Sequence, residues 1–99
     1  MELWLQNGRL HLSAAAYERH LRACAAVALL ERERQWLLFP LASGAGGLQV
    51  KLRNPRGDRV IESQEFFRAQ GLEDSPRPRP LRLEPDHSQA ALRIELVED

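Results

Sequence analysis

The stretch Leu3-Trp4-Leu5-Gln6-Asn7-Gly8-Arg9-Leu10-His11-Leu12-Ser13 decides the fold class. Leu3-Trp4-Leu5 is a short apolar strand candidate. Asn7-Gly8 is a strong two-residue hairpin signal, because both residue types tolerate positive φ. Arg9-Leu10-His11-Leu12 alternates polar and apolar residues, as a half-buried strand does. Ser13 suits a helix N-cap, and 14–23 reads as helix, with Ala16, Tyr17 and Leu21 at helical spacing. Val27–Leu30 and Trp36–Leu41 are apolar strands around the charged turn 31–35, which predicts a second hairpin. The unit is strand–strand–helix–strand–strand.

The same unit recurs downstream. Residues 42–47 are a linker by composition, Ala-Ser-Gly-Ala-Gly-Gly. Beyond them Leu48, Val50 and Leu52 alternate with Gln49, Lys51 and Arg53. Asn54-Pro55-Arg56-Gly57-Asp58 has turn chemistry. Arg59–Glu62 is the next strand, Ser63 again stands where a helix is capped, and Gly71 is placed to stop that helix. Leu81 and Leu83 begin a final hairpin that turns at 85–88 and ends with 90–97. A shift of 50 residues sets Arg59 on Arg9, Ser63 on Ser13 and Phe67 on Tyr17. A shift of 54 sets Leu81 on Val27 and Leu92 on Leu38, and the four-residue difference falls in 73–80. The expectation is one domain over 1–99, with repeats at 1–41 and 48–97.

Two-stranded ribbons are marginal alone, so two such units are expected to interleave their hairpins into a small closed barrel. The fold class is then mainly β with two short helices, a pseudo-twofold barrel from a tandem repeat. Asn7-Gly8-Arg9-Leu10-His11-Leu12-Ser13, with its helix and following hairpin, resembles the AbrB/SpoVT/MraZ group of swapped-hairpin β-barrels. Gly57-Asp58-Arg59-Val60-Ile61-Glu62-Ser63 repeats the pattern, in the tandem manner of MraZ. The resemblance implies double-stranded DNA as partner and transcriptional regulation as role, with Arg9, Arg53, Arg56 and Arg59 at the positions matching the family's DNA-contacting hairpins.

Read from the residues themselves, Lys51 and Arg53 share one face of an alternating strand and Arg56 sits in the adjoining turn. Arginines so placed contact phosphates or guanine edges; the alternative is a solvated face paired with Glu62 or Glu65. Arginine supplies 13 of the 14 basic residues, so richness in arginine belongs to the whole chain and not to this patch.

Other chemistries find little footing. His11, His20 and His87 lack metal-site spacing, so no metal or cofactor is expected. Ser13 and Ser63 precede helices without a partner base, so no catalytic residue is assigned and no enzyme is expected. Cys24 stands alone, which excludes an intramolecular disulfide and predicts a buried thiol. The aromatic residues fall in the apolar phase of their elements, which marks core packing rather than a base-stacking platform.

The 14 basic and 14 acidic residues balance, against a surface that seeks polyanions as a whole. No run approaches a membrane span, and a cytoplasmic protein is the default expectation. At this length, help from homo-oligomerisation is expected. Zero net charge, an acidic 83–99 segment and the proline–arginine spacer 75–80 motivate the alternative function, an assembly or interaction module for a protein partner.

Overall fold

The computed structural model describes residues 2–42 and 46–97. In chain order the elements are β1 (Leu3–Gln6), β2 (Arg9–Leu12), α1 (Ala14–His20), β3 (Ala26–Arg32) and β4 (Gln35–Leu41), then β5 (Leu48–Leu52), β6 (Arg59–Ile61), α2 (Gln64–Ala69), β7 (Arg79–Asp86) and β8 (Ala91–Leu96). The strands form a closed antiparallel barrel in the order β1-β2-β6-β5-β3-β4-β8-β7. The β1–β2 hairpin lies between β6 and β7, and the β5–β6 hairpin between β2 and β3. Exchanging β1–β4 with β5–β8 leaves this order unchanged. Each hairpin closes edges that the other half would leave open.

Alternation fills the interior. Leu10 and Leu12 of β2, Val27 of β3, Leu38 of β4 and Ile61 of β6 are fully buried, joined by Leu21 from just beyond α1. Each such side chain contributes about 1.5–3 kcal/mol by leaving water. The helices close the barrel with one aromatic each, Tyr17 from α1 and Phe67 from α2. Phe67 meets Trp36 and Phe66 edge-on, at ring-centroid distances of 5.3 and 5.0 Å. Phe66, its neighbour in sequence, is half-buried.

The turns follow their chemistry. Asn7 and Gly8 have φ of 53° and 75°, as the Asn-Gly hairpin requires. A Cβ at Gly8 would also come within 2.8 Å of Asp74 Oδ1. The turn between β3 and β4 is as tight but is made by Glu33 and Arg34, at φ of 52° and 65°. Of the 42–47 linker, residues 43–45 lie outside the described residues. Gly47 is required on steric grounds, since a Cβ there would sit 2.6 Å from the Val27 carbonyl oxygen.

Several local expectations are revised. Helix α1 ends at His20, a turn short of the expected 23; Leu21 closes it by donating its backbone N–H to Tyr17 O, and Ala23 follows at φ 61°. Strand β7 runs from 79 to 86, through Pro80 and Pro85, where spacer and turn were expected. Ser13 caps α1 as expected, its Oγ accepting from Ala16 N at 3.1 Å. Ser63 makes no side-chain cap. Instead its Oγ accepts from Leu10 N at 3.1 Å and donates to Gly8 O at 2.8 Å, bonding the β1–β2 hairpin from within. Cys24 is half-buried, its Sγ directed at Ala26 O.

Candidate nucleic-acid interface

The outer face of β1-β2-β6-β5 carries most of the residues of interest. Cross-strand pairing sets Trp4 beside His11, His11 beside Val60, and Val60 beside Lys51 in one row. The neighbouring row has the opposite facing: the buried Leu12 pairs with Arg59, and Arg59 with Leu52, which is exposed at the barrel end. Lys51 and Arg59 therefore stand on opposite faces of one sheet.

The five arginine and lysine positions singled out by sequence divide accordingly. Lys51 and Arg53 are exposed, and neither makes an ion pair or side-chain hydrogen bond among the described residues. Arg56 is largely exposed at the hairpin tip and pairs with Asp58 at 3.2 Å. Arg9 is held by Glu62, with Nε 2.7 Å from Oε2. Arg59 turns under the sheet, its guanidinium 4.1 Å from the Tyr17 ring centroid and its Nε donating to Gly57 O. The fold thus gathers Lys51, Arg53 and Arg56 on the β5–β6 hairpin, places Arg9 at one side, and assigns Arg59 to closing the barrel end.

The hairpin tip is rigidly organised. Asn54 Oδ1 accepts the backbone N–H groups of Arg56 and Asp58, and Asn54 Nδ2 donates to Asp58 Oδ2 at 3.0 Å. Asp58 Oδ1 accepts from Ala14 N at 2.9 Å, which ties the tip to the start of α1. The Asn54 hydrogen bond, then the Ala14 N–H, hold the Asp58 carboxyl below its ordinary range. The Arg9 hydrogen bond does the same for Glu62.

His11 lies at the centre of this face, and its prominence there was not anticipated. It is 8% exposed and stacks on Trp4 with centroids 5.2 Å apart and planes 7° from parallel. Its buried Nδ1 has no hydrogen-bond partner among the described residues. Burial, then the positive charges of Arg53 and Arg9, push its pKa below the ordinary 6.5. The face therefore presents Arg9, Lys51, Arg53 and Arg56 against Glu62 and Asp58, around a histidine kept neutral. The only sequence signal for this role was the place of His11 opposite in phase to Leu10 and Leu12.

Among the described residues, no His, Cys, Asp and Glu side chains group in threes able to hold a metal, and no helix is long and apolar enough to cross a membrane. Compared with models of protein families, with curated proteins and with solved structures, the chain matches none.

Proposed function

We propose that this protein is a non-enzymatic DNA-binding regulator whose β5–β6 hairpin contacts the phosphate backbone. The observation that carries the reading is the pair Lys51 and Arg53, exposed on an outward sheet face and bound in no ion pair or side-chain hydrogen bond among the described residues, beside Arg56 on a tip fixed by Asn54. Cations already bound to carboxylates give up part of their attraction for phosphate; these two do not. The tandem swapped-hairpin resemblance to the AbrB/SpoVT/MraZ group supports the same reading, as does a strand order that survives exchange of its halves. Gene duplication over 1–41 and 48–97 is the simplest origin for that order.

The test is fluorescence anisotropy of a mixed-sequence duplex at low and moderate salt. Binding that weakens steeply with salt is expected, since each phosphate contact releases counterions. Replacing Lys51 and Arg53 together by alanine should lower affinity and reduce the log–log salt slope by about one per lost contact. Arg59→Ala should leave affinity unchanged, because that side chain lies beneath the sheet. Equal losses in the two variants would remove the surface assignment. Absence of binding at low salt would favour the second reading, a protein-interaction module, for which the exposed outer edge of β3 is the supporting observation.

A further inference from the structure

We propose that β3 is the dimerisation edge of this protein, pairing antiparallel with β3 of a second copy about a dyad at Leu30. The proposal is independent of DNA binding. It begins from which backbone groups of β3 are used. Val50 donates its N–H to Ala25 O, and Val27 faces Pro40, which has no N–H to exchange. Odd-numbered residues of this segment therefore direct their backbone groups towards β5, and even-numbered residues towards β4. The pairing with β5 covers Ala26 and Val27 only. Leu29 and Glu31 are left with outward N–H and C=O groups that no described strand pairs.

The other half of the barrel shows how such an edge is blunted. Strand β7 holds the place of β3 when the halves are exchanged. Pro80 O accepts from Val97 N, so Leu83 and Pro85 are the edge-facing residues there, and β1 pairs only with Arg79 and Pro80. Leu29-Leu30-Glu31 in β3 thus corresponds to Leu83-Glu84-Pro85 in β7. Proline and charge are common protections of exposed edges. The β7 edge has both: Pro85 offers no N–H, and Glu84 is paired with Arg93. The β3 edge has no proline there, its one charge is Glu31 in the place of Pro85, and Leu30, in the place of Glu84, is 44% exposed.

The occupant follows from register. With Leu30 opposite its own copy, Leu29 lies opposite the partner's Glu31 and Glu31 opposite the partner's Leu29. Each of these pairs exchanges both N–H···O bonds, and the two exposed leucines meet at the close, non-hydrogen-bonded position. Centring on Leu29 would require Val27, whose groups are engaged with β5. Centring on Glu31 would set two carboxylates face to face. The free edge is therefore self-complementary in one register. A cleft of about 530 Å³ between Ala28–Leu29 and Phe66 leaves room beside β3 for the incoming strand.

The experiment is sedimentation velocity of the whole chain from micromolar to near-millimolar concentration, with two variants, and disulfide cross-linking with two more. The wild type should shift from monomer to dimer as concentration rises. Glu31→Pro removes an outward N–H and spares the β4 ladder; Leu30→Lys puts a charge on the dyad. Both should stay monomeric with an unchanged far-UV spectrum. In a Cys24→Ser background, Leu30→Cys should form an intermolecular disulfide under mild oxidation, because directly opposed residues at such a site lie about 4.5 Å apart. Arg32→Cys, opposite the partner's Ala28 in this register, should not. A wild type that is monomeric throughout would overturn the proposal, and would leave the edge to a strand from another protein. A dimer that persists in Leu30→Lys, or equal cross-linking at positions 30 and 32, would overturn it too.

Discussion

Two serines at matching positions do different work. Ser13 caps α1 from a half-exposed site, and its oxygen takes one orphan N–H of the helix. Ser63 is 2% exposed and satisfies both a donor and an acceptor of the neighbouring hairpin. Ser13→Ala should cost about 1 kcal/mol, the usual value of a cap. Ser63→Ala should cost about 1–3 kcal/mol, because it leaves Leu10 N and Gly8 O buried without their partner. Aspartate separates the roles. Ser13→Asp keeps a capping oxygen and should be tolerated, whereas Ser63→Asp buries a carboxylate and should destabilise more than alanine. Urea midpoints of the four variants decide this; equal tolerance of aspartate at both sites would mean that Ser63 acts as a cap after all. Arg59 belongs to the same scale. Its position over Tyr17 predicts that Arg59→Ala lowers stability by about 1 kcal/mol.

At the scale of elements, the turn between β3 and β4 is one place where the sequence accepts strain, with two consecutive residues at positive φ. Glu33 and Arg34 both occupy the left-handed region, which costs a side-chain-bearing residue about 1–2 kcal/mol. The first hairpin makes the same turn with Asn7-Gly8. Replacing Glu33-Arg34 with Asn-Gly should therefore raise stability by about 1 kcal/mol or more, seen as a higher thermal midpoint; a lower one would show that the left-handed pair at 33–34 stores no strain for Asn-Gly to relieve. Strands whose partners are set by short turns were legible in sequence: Asn7-Gly8 fixed β1 against β2, and alternation placed Val50 inward and Lys51 outward. The centre of β7, Leu81 and Leu83, was legible too, but its ends at Pro80 and Pro85 were hidden because proline argues against a ladder. Pro85 is tolerated because its nitrogen faces an edge where no N–H is required. The candidate interface was half legible for a related reason. Alternation puts Lys51 and Arg53 together within one strand, but the facing of Arg59 depends on the register across the 54–58 turn, which no single-strand pattern contains.

For the whole molecule, acid should act in two stages. His11 and His20 both have pKa values below the ordinary 6.5, chiefly through burial. The unfolded chain then binds protons first as pH falls, so folded-state stability begins to drop near that value and continues to drop until the folded histidines themselves protonate. For His11 the facing charges are Arg53 and Arg9, which oppose protonation, and Glu62, which favours it. Asp58, Glu62 and Asp86 are held below their ordinary carboxylate values by hydrogen bonds. Their contribution is complete above the unfolded carboxylate range and is lost as pH falls from there through their lower folded-state values. His11→Phe separates the stages, since phenylalanine keeps a ring against Trp4 and removes both the unpartnered Nδ1 and the titration. The variant should be as stable as wild type or more so at neutral pH. Between about pH 7 and pH 5 its stability should fall less than that of wild type, with the remaining slope due to His20. Once folded His11 is itself protonated, the two proteins should lose stability in parallel. Urea titrations across the range provide the comparison. A variant whose loss between about pH 7 and pH 5 matched that of wild type would place the histidine effect elsewhere and leave His11 as packing alone.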